Sequence, residues 1–206
     1  MLIRILIDFQ QPYNNDTLFN HLLMTKYLLT SLLLLFVITS PLNSKSQDFT
    51  LRDVKNQMIN DWVRAKAFTL EYLNAVPKEK YNFKPVDSVQ NFAQQMIHLA
   101  VVDMFLVFMA SDKEPPAFTW ADIGNTASSQ TKDSVLYYVS ASYDYCIKTI
   151  TSLNPEVWAE KKELSGKQKT RFELLEIAFE HQTHHRGQTT IYLRLQGITP
   201  PEANLF

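Results

Sequence analysis

The sequence predicts an all-α fold, a four-helix bundle preceded by an N-terminal signal segment. Three observations lead there. Four long segments carry apolar residues at helical spacing, and no convincing strand pattern interrupts them. The chain has 206 residues, enough for one domain with a substantial core rather than two. Only four glycines occur, and none belongs to a phosphate-cradling cluster, which argues against a nucleotide-binding α/β fold. With 20% charged residues and a formal net charge of −1, the chain has no basic excess to meet a nucleic acid.

The first 46 residues read separately. Met24-Thr-Lys26 precedes the uncharged, mostly apolar run Tyr27–Thr39, and Pro41-Leu-Asn-Ser44-Lys-Ser46 then places small residues before a cut at Gln47. Charged, apolar and small-residue regions in that order describe an export signal over 24–46. The apolar run falls short of the roughly 20 residues that a membrane span needs, so no stable span is expected after processing. Residues 1–23 fit neither signal nor domain, and Met24 makes the better start. Removing residues 1–46 takes away Arg4, Lys26 and Lys45 with Asp8 and Asp16, leaving a net charge of −2. The expected localisation is exported, periplasmic or secreted. The single cysteine, Cys146, has no partner for an internal disulfide and reads as a small core residue.

The bundle helices follow in order. The first covers about Leu51 to Ala75, with Val54, Met58, Trp62, Ala65, Phe68, Leu70 and Leu73 on or beside one stripe, and stops at Val76-Pro77. The second, from about Ser88 to Ala110, is apolar almost all round after Met96 and should be the most buried element. A polar loop from Glu114 to Ser129 leads to the third, Thr131 to Thr151, with Val135, Tyr138, Val139, Ser142, Tyr145, Cys146 and Ile150 inward. The charged stretch from Asn154 to Lys169, containing Ser165-Gly166, is an irregular excursion or small hairpin. The fourth helix opens at a Thr170/Glu173 capping box and runs to about Leu195, ended by Gly197.

Chemistry concentrates in His181-Gln-Thr-His-His185-Arg-Gly-Gln188. His181 and His185, four residues apart, share one helix face, so two imidazoles can converge on one cation. His98 sits in an apolar stretch of the second helix, where an unpaired imidazole is costly. Three histidines on two helices make a metal site. His184 competes for a ligand position because i and i+3 also share a face, but it is displaced by about 100° from His185. Asp103, five residues past His98, and Glu180, next to His181, both lie off the histidine faces. No general base can therefore be named, and the catalytic residues are unknown. The aromatic residues Tyr138, Tyr145, Tyr192 and Trp62 read as core, and the Trp120 loop is a candidate cover for the site.

From about Leu51 to Pro201 the chain resembles the DinB/YfiT-like superfamily. The matching blocks are Val76-Pro-Lys-Glu-Lys-Tyr-Asn-Phe-Lys-Pro85, Gln95-Met-Ile-His98-Leu-Ala, and His181–Gln188 leading to Tyr192-Leu-Arg-Leu-Gln-Gly197-Ile-Thr-Pro-Pro201. The resemblance implies a four-helix bundle over 47–206 with His98, His181 and His185 as metal ligands. It implies no organic cofactor but a divalent transition metal, for which all-nitrogen ligation suits zinc, nickel or iron better than magnesium or calcium. Three protein ligands leave positions open for water or substrate. The implied activities are metal-dependent hydrolysis and thiol-dependent transfer on a small molecule. The competing expectation is a non-catalytic metal- or ligand-binding bundle with a stress-related role. Homodimer pairing is also implied by resemblance.

Overall fold

A computed structural model describes residues 15–39, 48–123 and 126–203. The chain divides into two units, Met1–Asp48 and Phe49–Phe206. In the first unit the described residues form one helix, α1 (Asn15–Thr39), whose side chains from Phe19 to Leu33 are exposed. It starts nine residues ahead of Met24, so one helix runs through the expected boundary at residue 23. The expected cut before Gln47 lies outside the described residues. Thr25, Thr30 and Ser31 donate their hydroxyls to carbonyls one turn back.

The second unit holds α2 (Leu51–Ala75), α3 (Phe92–Ser111), α4 (Trp120–Ile123), α5 (Lys132–Ser152), strands β1 (Lys161–Leu164) and β2 (Lys167–Thr170), and α6 (Arg171–Leu195). The four long helices are the predicted ones, and their ends show why they begin and stop where they do. Thr50 with Asp53, Asn91 with Gln94, and Thr170 with Glu173 form reciprocal capping boxes at α2, α3 and α6. The Asn91 box starts α3 at Phe92, four residues later than Ser88. Gly197, at φ 73°, ends α6: its own amide bonds the Arg194 carbonyl, and the Ile198 amide bonds that of Leu193.

Helix directions follow from the cross-links. Lys55 at the start of α2 donates to the Thr151 and Leu153 carbonyls at the end of α5, and Lys132 at the start of α5 donates to those of Asn74 and Val76. These two helices are therefore antiparallel, and each supplies a cation to the carbonyl end of the other. α3 and α6 are also antiparallel, since Asp103 meets His181 and Gln90 meets Tyr192. α3 and α5 run parallel: Asn91 bonds Gln130 at their starts, and Tyr145 reaches Glu114 beyond the end of α3. Parallel neighbours need a long return, which is the work of the loop from 112 to 131.

α3 is the central helix and packs most extensively on α6 and α5. Its Met96, Leu99, Ala100, Val107 and Ala110 are fully enclosed, as its apolar composition predicts. It is also long and apolar enough to cross a membrane, yet most of that stretch is buried within the bundle. The stripe on α2 holds, with Val54 and Leu70 at its edge. In α5, Tyr138 and Tyr145 are only half-buried, and Tyr143 takes the enclosed position instead. Its hydroxyl donates to Gln182 Oε1 (2.9 Å) and shares a hydrogen bond with Thr69 (2.7 Å), which makes the burial of a phenol tolerable. The charged stretch does contain a hairpin. Ser165 and Gly166, at φ 52° and 76°, supply the two-residue turn, and four-residue strands are too short to show an alternating pattern. Cys146 is wholly buried, and burial pushes its thiol up.

Candidate metal centre

Antiparallel packing of α3 on α6 brings His98 opposite His181 and His185. One nitrogen from each ring lies within 4.8 Å of the other two. The Nε2 atoms of His98 and His181 are 3.3 Å apart. Two nitrogens at about 2.05 Å from one tetrahedral ion would be separated by about 3.3 Å, so this pair already has the spacing of two ligands on one cation. The His185 ring completes the group, with centroids 4.6 Å from His98 and 4.4 Å from His181.

Both α6 histidines are held from behind. His181 Nδ1 lies 2.8 Å from Asp103 Oδ1, and His185 Nδ1 lies 2.7 Å from Gln95 Oε1. With Nδ1–H donating to these oxygens, each Nε2 lone pair faces the shared centre. The support goes one layer further. Tyr192 donates to the Gln90 carbonyl at 2.7 Å, and its hydroxyl accepts from Gln95 Nε2 at 3.5 Å, which orients the amide so that its oxygen meets His185.

Electrostatics favour neutral rings. Burial, then the neighbouring imidazoles, lower the pKa of His181 to about 3 and that of His185 to about 4, and burial lowers His98 as well. Neutral imidazole is the ligating form. Burial pushes the Asp103 carboxyl well up, while the Arg186 guanidinium acts in the opposite direction. Asp103 Oδ2 has no hydrogen-bond partner, so this carboxylate spends its one strong contact on His181.

The remaining motif residues lie around the cluster. His184 is exposed, with Nε2 3.0 Å from Gln188 Nε2, and stands outside the cluster. Glu180 is exposed. Arg186 turns to the opposite side, donating to Gln182 Oε1 (2.8 Å) and Thr69 Oγ1 (3.2 Å) and lying over the Phe68 ring, a structural role. Trp62 and Tyr192 are core. Asp103 and Gln95 are what sequence reasoning missed. Asp103 does lie off the His98 face, but it meets a histidine from the other helix. The signal was present: Asp103 is the one charged residue in Phe92–Ser111, and a carboxylate in so apolar a helix requires a partner.

The DinB family model matches residues 47–206. This chain belongs to the DinB family. It is 24% identical over 152 residues to the uncharacterized protein YjoA of Bacillus subtilis, covering 70% of this chain and 92% of that protein. The crystal structure of that DinB-like protein superposes with a TM-score of 0.55 at 19% identity, over 69% of this chain and 92% of the other. A DinB-like protein from Bacillus cereus gives 0.59 at 14% identity, over 72% and 96%. These likenesses establish a shared DinB-like fold.

Proposed function

We propose that this DinB-family chain is a metal-dependent enzyme acting on a small molecule, with His98, His181 and His185 as the metal ligands. The observation that carries the reading is the pair of buried acceptors, Asp103 and Gln95, that turn two imidazoles toward a third at ligand spacing. A divalent metal held there, zinc, nickel or iron, supplies Lewis-acid polarisation and makes a water or thiol at its open positions ionise near neutral pH. The chain's own part is to hold three rings neutral and aimed. Asp103 is the carboxylate hydrogen-bonded to these rings, and its part would be to orient His181.

Hydrolysis is the first reading and thiol-dependent transfer the second. The export-signal order of residues 24–46 favours the first, because low-molecular-weight thiols are reductants of the cytoplasm. The absence of a placed base among the described residues favours a third reading, a non-catalytic metal- or ligand-binding bundle. The near-neutral charge supports a small molecule over a nucleic acid, and pairing of two bundles belongs to the same proposal.

The test is metal content by mass spectrometry on untagged protein, beside the His98→Ala/His181→Ala double variant. About one metal per chain, lost in the variant, supports the centre. No metal in either after adding zinc, nickel or iron refutes it. Turnover of small electrophiles without added thiol separates hydrolysis from transfer. N-terminal sequencing of protein recovered from cells checks export, and a soluble cytoplasmic species that retains Met24 would refute it.

A further inference from the structure

Trp120 is the one indole that the core does not use. Trp62 and Trp158 are 0% and 3% exposed, whereas Trp120 is 39% exposed and stands edge-on to the His98 ring, with centroids 6.4 Å apart at 79°. We propose that Trp120 is the specificity wall of the three-histidine centre. It would select ligands that carry a planar apolar group beside their metal-seeking donor atom. The inference rests on the metal-centre reading above and adds the class of ligand.

Several observations carry it. The position of Trp120 is built rather than incidental. Asp122 Oδ2 accepts from the Thr119 amide (2.6 Å) and hydroxyl (2.7 Å), capping the single turn of α4. Phe118 on one side is buried and packs on Tyr138 at 5.1 Å, and Ile123 on the other side is buried as well. Two buried anchors thus hold a large apolar ring that remains open to solvent next to a candidate ligand.

Apolar side chains also follow His98 along α3. Val101, Val102 and Phe105 follow His98 at i+3, i+4 and i+7, on the same side of the helix. The valines are half-buried and Phe105 is 46% exposed. His181 and His185 are braced by hydrogen bonds at Nδ1, whereas His98 has the Trp120 indole beside it in a T-shaped pair. A flat apolar substituent next to the donor atom can stack on that indole, an arrangement aromatic pairs favour.

The experiment uses full-length, untagged protein loaded with cobalt(II), whose visible bands report ligand entry. Metal content is measured first, and imidazole and 4-phenylimidazole are then titrated. The wild type is expected to bind the phenyl derivative about tenfold more tightly than imidazole. Trp120→Ala should bring the two within about twofold, with cobalt content and imidazole affinity unchanged, and Trp120→Phe should keep most of the preference. Equal affinities in the wild type, or a preference that survives Trp120→Ala, would overturn the proposal. Loss of cobalt in Trp120→Ala would also overturn it, making the indole a prop for His98. A wild type that takes up no cobalt defeats the metal reading at the earlier step, and this inference with it.

Discussion

Asp103→Asn separates a residue that tunes the metal centre from one that holds up the fold. In the wild type the carboxylate is 1% exposed, gives one oxygen to His181 Nδ1 at 2.8 Å and leaves the other without a partner. Asparagine has the same size and keeps an acceptor for the ring N–H, but it removes the negative charge that raises the basicity of the imidazole. Loss of such a supporting partner typically weakens metal binding by about 10- to 100-fold, or about 1.4–2.8 kcal/mol. Stability without metal should respond differently. The variant no longer buries a carboxyl whose ionisation burial opposes and whose Oδ2 has no partner, which is a gain. It also buries an amide NH2 without a partner and deprives Arg186 of a nearby counter-charge, which is a loss of about 1–3 kcal/mol. These contributions oppose each other, so the metal-free variant should stay within about 1 kcal/mol of wild type. The assay is competition for zinc against a fluorescent chelator at neutral pH, paired with thermal melts of metal-free protein. Zinc affinity equal to wild type would refute the tuning role. A metal-free variant that no longer folds would make Asp103 a structural residue.

Three further perturbations test other parts of the argument. The folded-state pKa values of His181 and His185 are lowered to about 3 and about 4, below the unfolded value of about 6.5. The unfolded chain therefore binds more protons as pH falls, and the stability these rings contribute is complete above about 6.5 and lost progressively toward 4 and 3. In metal-free protein the melting temperature should drop across that window more steeply for wild type than for His181→Ala/His185→Ala, and identical pH profiles would refute the assignment. Lys132→Met removes two hydrogen bonds to the carbonyl end of α2 and should cost about 1–2 kcal/mol by denaturant unfolding, while a change near zero would show that water replaces them. Tyr143→Phe deprives Thr69 and Gln182 of a shared buried hydroxyl and should destabilise the bundle by about 1–3 kcal/mol without altering metal content, since the hydroxyl faces α2 and α6 rather than the histidine rings.

Local signals in the chain account for most of the fold. The Thr170/Glu173 box, the stop at Val76-Pro77 and the Gly197 terminus are short-range devices, and each works in the structure as its residues imply. The misreadings occur where a local rule was overruled at a distance. Helical spacing points to Tyr138 and Tyr145 as inward and passes over Tyr143, yet Thr69 and Gln182 make the enclosure of Tyr143 favourable. The charged stretch reads as either an irregular excursion or a small hairpin, because four-residue strands are too short to show alternation, and the paired strands with positive φ at Ser165 and Gly166 decide for the hairpin.

The candidate centre divides the same way. Spacing along one helix put His181 and His185 together, because a helical turn is a local and invariant geometry. His98 stood out as a costly imidazole in an apolar helix, and the resemblance marked it as a ligand. Asp103 and Gln95 had no such rule, since their partners lie 78 and 90 residues away. Sequence alone determined which residues can ligate, because that depends on side-chain chemistry and helical period. Only the tertiary structure decided which nitrogen of each ring faces the centre, because ring orientation is set by acceptors that another helix delivers through packing.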